Sequence, residues 1–233
     1  MRVGRIGVSL IWGLLLALVC SVPLQAQDIP REDALRRYDE LVASVRASMD
    51  SDPGQVEQDL TYGLARSIGD DPRVLALCEE VIRVSTNPAS VAEAVGAIAV
   101  IEAWHTPAYA WKRRKKIAAI LREVLNKDNI RATMSAAGIL FDMGSAHREV
   151  ARDFYIKVLK YPPPTAIEAE RKQLLVEVVR RLLSKPKSSD LQAIRTATVK
   201  FELIQHLEGR LAGMKNPATR QTNEELLVKW RTS

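Results

Sequence analysis

The stretch from Trp104 to Lys116 holds the one local combination of side chains in this 233-residue chain that is equipped for recognition chemistry. Trp104, His105, Tyr109 and Trp111 lead into five consecutive cations, Lys112, Arg113, Arg114, Lys115 and Lys116. Aromatic rings offer flat contact surfaces and guanidinium forks match phosphate and carboxylate, so the segment has the ingredients of a site for an anionic polymer or lipid. A plainer reading stands beside it. Five successive residues span more than one helical turn, so their charges fan around the exposed half of a helix start. Cations there also oppose the helix dipole, by about 0.3–1 kcal/mol each.

Reaction chemistry has no comparable cluster. His105, His147 and His206 lie far apart in the chain, with no H-E-x-x-H pair and no cysteine at metal-ligand spacing, so no metal is expected. No G-x-S-x-G, G-x-G-x-x-G or Gly-Lys-Ser/Thr loop occurs, and no cofactor is expected. Glu79-Glu80, Asp70-Asp71 and Glu224-Glu225 read as helix starts and solvated faces. An enzyme is therefore not expected; the remaining route to one is a pair of carboxylates converging from separate helices.

Residues 1–26 have the layout of an export signal: Arg2 and Arg5, an apolar run from Ile6 to Val19, and Pro23-Leu24-Gln25-Ala26 before a cut after Ala26. The run is shorter than the roughly 20 residues a spanning helix needs. Bulky Val19 stands where a lipoprotein cut before Cys20 would have a small residue. Simple cleavage is the expectation, with lipidation at Cys20 as the alternative. That places the protein in the periplasm or outside the cell, without a transmembrane segment. Losing Arg2 and Arg5 lowers the formal charge from +6 to +4, too mild to call for a nucleic-acid partner. Cys78 is then left alone among Val74, Leu75, Leu77, Val81 and Ile82, the setting of a buried thiol.

The elements that must position these residues are helices. Ala, Leu, Glu, Arg and Lys recur at helical spacing, with no sustained two-residue alternation and no Asn-Gly or Asp-Gly turn, so the fold is all-α. Helices are expected over 31–49, 55–68, 72–84, 88–103, 108–125, 129–143, 145–160, 165–184 and 191–211, with a last turn or two between 224 and 231. Asp71-Pro72 and Asn87-Pro88 are cap-plus-proline starts, Asn216-Pro217 is a stop, and Gly144 closes the helix before it. The 88–103 helix is apolar on nearly every side, must be covered on every side, and is expected to be the most buried.

Shifting residues 78–102 by 39 positions lays Cys78 on Ile117, Val81 on Ile120, Ile82 on Leu121, Arg83 on Arg122, Asn87 on Asn126, Val91 on Ile130, Val95 on Met134 and Ile101 on Leu140. A period near 40 with two amphipathic helices per unit is the mark of stacked helical hairpins. Asp128-Asn129-Ile130-Arg131, with Ser135-Ala136-Ala137 and Gly144, resembles the turn and second helix of a HEAT repeat. The resemblance, HEAT-like or armadillo-type, covers about residues 72–184. It implies a right-handed α-solenoid, a superhelix of stacked antiparallel hairpins. Residues 27–69 would form an N-terminal capping hairpin, 70–184 the HEAT-like hairpins, and 185–233 a C-terminal capping helix and tail. Solenoids supply extended binding surfaces without reaction chemistry. The expected function is an exported, non-enzymatic scaffold of the cell envelope with a protein partner. The alternative is a binder of anionic envelope polymer or lipid through residues 104–116.

Overall fold

An Asp or Asn followed by proline opens four of the helices. The side chain accepts a bond from an early helical amide, while proline supplies a helical φ and has no N–H to leave unsatisfied. In the computed structural model, which describes residues 29–103, 110–165 and 167–232, Asp52 accepts from the Gln55 amide (3.1 Å) and Asp71 from Arg73 (2.9 Å). Asn87 accepts from Ala89 (2.9 Å) and Asn216 from Thr219 (3.1 Å). Asn129 caps without a proline, accepting from Ala132 at 3.1 Å. Asn216-Pro217 is thus a start as well as a stop: a full helix follows it, where only a last turn or two was expected. Every regular element among the described residues is helical.

The chain divides into two compact units, Met1–Pro107 and Ala108–Ser233, a division that falls inside the 70–184 block. The first holds α1 (Arg31–Arg36) and α2 (Tyr38–Ser48), broken at Arg37 where one helix over 31–49 was expected. A continuous rod follows, made of α3 (Pro53–Val56), a π-helical segment (Glu57–Ala65) and α4 (Arg66–Ile68); then come α5 (Pro72–Val84) and α6 (Pro88–Ala103). Val56, Leu60, Leu64 and Ile68 recur every four residues. At 3.6 residues per turn such a row swings round by about 40° per step. The wider π turn offsets that swing, and all four side chains end fully buried. At Gly63 a Cβ would sit 3.4 Å from Leu41 Cδ2, an ordinary van der Waals contact, so α2 packs on this face without depending on the glycine.

The π-helical segment packs against α2, α5 and α6. Residues 59–69 include no exposed residue and are the most enclosed stretch of this unit, which corrects the expectation for α6. α6 buries Val91, Val95, Ile98 and Ile101 but leaves Ala99 and Ala103 exposed. Alanine presents too little apolar area to demand a cover.

The second unit holds α7 (Ala110–Val124), α8 (Ile130–Asp142), α9 (Ser145–Lys160), α10 (Glu168–Ser184), α11 (Ser188–Lys200), α12 (Leu203–Leu211) and α13 (Pro217–Thr232). Gly144, at φ +130°, turns the short corner between α8 and α9 in a backbone region that side chains seldom tolerate. The single helix expected over 191–211 is broken at Glu202, which is left-handed (φ 51°, ψ 42°). The break lets α11 pack on α9 while α12 packs on α10, which one straight rod cannot do.

Within each unit, side-chain bonds join residues 34 to 39 positions apart in the chain. Arg46 of α2 pairs with Glu80 of α5 at 2.7 Å, 34 residues on. Asp50, after α2, accepts from the Thr86 amide, after α5, at 2.7 Å and 36 residues on. Asp142 of α8 pairs with Arg181 of α10 at 3.1 Å, 39 residues on, and Arg152 of α9 pairs with Asp190 of α11, 38 residues on. Burial recurs at the same offset: Cys78 and Ile117, Val81 and Ile120, Ile82 and Leu121, and Ile101 and Leu140 are buried in both members of each pair. Burial also pushes the Cys78 thiol up to about 12.

Val95 and Ile98 are fully buried. Val95→Asp or Ile98→Asp is expected to abolish the cooperative melt, because an unpaired buried charge costs several kcal/mol against a total of roughly 5–15. Ala99→Asp, on the open side of the same helix, is expected to stay within about 1 kcal/mol of the parent. Equal melts for the two positions by circular dichroism would contradict this packing. Asp190→Ala strands the buried Arg152 guanidinium and is expected to lose about 3–5 kcal/mol in urea denaturation; a loss below about 1 kcal/mol would show that the pair does not hold α9 to α11.

Candidate functional site

The basic run lies on α7, whose buried face is written by Ile117, Ala118, Ile120, Leu121 and Val124. At about 100° per residue, Lys112, Lys115, Lys116 and Ala119 fall on the opposite side. Lys112, Arg114, Lys115 and Lys116 are exposed, and Arg113, four residues before Ile117, is half-buried at the edge of the packed face. Trp111 is 65% exposed, with Lys112 Nζ 5.6 Å from its ring centroid. Trp104, His105 and Tyr109 lie outside the described residues.

A second basic feature adjoins the run. Arg122 Nη2 lies 3.2 Å from His147 Nδ1, joining α7 to α9. A guanidinium can only donate, so Nδ1 is the acceptor and the imidazole proton sits on Nε2. Partial burial, then Arg122 and Arg114, hold the His147 pKa below the ordinary imidazole value. His206 on α12 is lowered in the same way, by burial and then by Arg210 and Lys172. Such a surface can hold an anion through fork-shaped hydrogen bonds and Coulomb attraction. No group of three His, Cys, Asp or Glu side chains among the described residues is placed to hold a metal ion.

Net charge divides unevenly between the two units. Residues 1–107 carry 9 bases and 15 acids, net −6, while residues 108–233 carry 25 bases and 13 acids, net +12. Among the described residues of the first unit the arginines are engaged locally: Arg31, Arg36, Arg37, Arg46, Arg73 and Arg83 pair with carboxylates, and Arg66 stacks on Tyr62. The Arg122–His147 contact is not foreseen by the sequence. Arg114, Ala118 and Arg122 form a visible row at four-residue spacing, but nothing local to His147 announces that it meets them.

No family model matches this chain, and neither a curated protein nor a solved structure matches it.

His147 is expected to titrate below 6.5 by NMR, and Arg122→Gln to move that titration upward. A depressed folded-state pKa means that the unfolded chain binds the proton more readily. This histidine's share of stability is therefore lost as pH falls below the unfolded value. An unchanged titration in Arg122→Gln would show that the arginine does not act on the imidazole.

Proposed function

We propose that this chain is an exported, non-enzymatic helical-repeat protein that serves as an interaction scaffold in the cell envelope, periplasmic or secreted, with a protein partner. Its architecture, on this reading, is a HEAT-like or armadillo-type right-handed α-solenoid. The observation that carries the proposal is the set of bonds between residues 34 to 39 positions apart, such as Arg46 to Glu80 and Asp142 to Arg181. That neighbour scheme is the one stacked hairpins require, and stacked hairpins present long helical surfaces suited to binding. Affinity capture of the tagged mature chain from an envelope fraction is expected to enrich one protein reproducibly, with Val95→Asp as the unfolded control. Repeated recovery of nothing beyond that control would defeat the protein-scaffold reading.

One observation favours a second reading, an anionic envelope polymer or lipid as the partner. Trp111 is exposed directly beside Lys112, Arg114, Lys115 and Lys116, the arrangement in which aromatic and cation act together on a ligand and not on the core. Binding of this kind is expected to weaken steeply as salt rises. Replacing Lys112, Lys115 and Lys116 together by Gln is expected to leave stability within about 1 kcal/mol and to flatten that salt dependence. Salt-insensitive retention would remove this reading.

A further inference from the structure

The exposed arc of α7 has a composition that packing does not call for. Trp111, Lys112, Lys115, Lys116, Ala119, Arg122 and Glu123 fall within about 140° of helix circumference, opposite the buried stripe, so four cations outnumber one carboxylate there. This arc belongs to the unit with net charge +12. A soluble polyanion would need the cations alone. The large exposed indole at the head of the arc adds an apolar body with a polar N–H, which is the side chain best suited to the boundary between lipid headgroups and acyl chains. Lysine stems can likewise lie along apolar material while their ammonium groups stay with phosphate.

We propose that the exposed face of α7 docks the protein on an anionic lipid bilayer, with Trp111 entering the headgroup boundary and Lys112, Lys115, Lys116 and Arg122 over the lipid phosphates. The attachment is peripheral, since no helix among the described residues is long and apolar enough to cross a membrane. This inference rests on the anionic-partner reading above and narrows it to one source of anion. α7 would lie flat, because its cations run along its side for nearly three turns from Lys112 to Arg122 and not around one end.

The test is co-sedimentation of the full mature chain with phosphatidylcholine vesicles, with and without phosphatidylglycerol, alongside binding to soluble inorganic polyphosphate. Binding is expected only to the anionic vesicles and to be screened by salt. The Lys112→Gln, Lys115→Gln, Lys116→Gln variant is expected to bind them at least about tenfold more weakly, since each lysine near an anionic surface contributes on the order of fivefold. A control that removes the same charge elsewhere in the unit, Lys157→Gln, Lys160→Gln, Lys200→Gln, is expected to bind more nearly like the parent; an equal loss would overturn the assignment to α7. Trp111→Ser is expected to weaken vesicle binding and to leave polyphosphate binding unchanged. If polyphosphate binds and Trp111→Ser changes nothing on vesicles, the bilayer proposal fails while the anionic-partner reading survives. Absence of salt-sensitive binding to either probe overturns both. Circular dichroism of each variant separates loss of binding from loss of fold.

Discussion

Contact between helices that are not neighbours in the chain is the constraint on which much of this fold depends. In the second unit α9 packs on α11 and α10 on α12, so these helices meet neighbours in the chain and also the helix two places on. Arg152 shows how closely the second contact is fitted. Its guanidinium pairs with Asp190 of α11, donates to the Lys185 carbonyl at 2.8 Å and sits 5.7 Å from the Phe141 ring of α8. Both charges are almost wholly buried, so the pair contributes more to fixing which helix lies beside which than to net stability, because desolvation offsets much of the attraction. Lys187 repeats the link at the rim through Glu149.

Polar clips between successive turns serve the same purpose at lower stakes. Asp50 accepts from the Thr86 amide and hydroxyl, and Ser85 donates to the Met49 carbonyl, so the turn after α2 is bound to the turn after α5. Those bonds hold the Asp50 carboxyl below its ordinary pKa, the Thr86 amide first among the causes. Registry between hairpins is therefore set twice, by side chains along the helices and by turns at their ends. Where regular geometry cannot meet both demands the backbone departs from it. The π-helical segment keeps a four-residue row buried, Gly144 makes a tight corner, and Glu202 accepts a left-handed conformation so that one stripe can serve two neighbours.

Much of this was legible in the sequence because local rules and packing agree there. Asp71-Pro72 and Asn87-Pro88 marked true starts, and the 39-residue offset picked out pairs such as Ile82 and Leu121 that are buried alike. What stayed hidden depended on partners far away in the chain. Val56, Leu60, Leu64 and Ile68 have a spacing that fits an ordinary helix, and the wider turn appears only where the segment packs against α2, α5 and α6. The stripe of 191–211 reads straight through Glu202, since its residues favour helix and the break is imposed by α9 and α10. For the site, the cations and Trp111 were evident, yet their shared arc with Arg122 and the approach of His147 required the fold.

The basic start of α7 differs from these compromises in that most of its side chains lie exposed. Lys112, Arg113 and Arg114 occupy the first turns, where the helix dipole is positive and each cation is disfavoured by about 0.3–1 kcal/mol. Several other helices follow the opposite preference: Glu32 and Asp33 open α1, Asp39 and Glu40 open α2, and Glu168 and Glu170 open α10. An exposed tryptophan beside those cations adds apolar surface that water must also cover. Departures from local preference elsewhere in the chain are repaid by buried neighbours. On α7, Trp111, Lys112 and Lys115 are exposed on the side away from the buried stripe, the side on which an anionic partner would meet them.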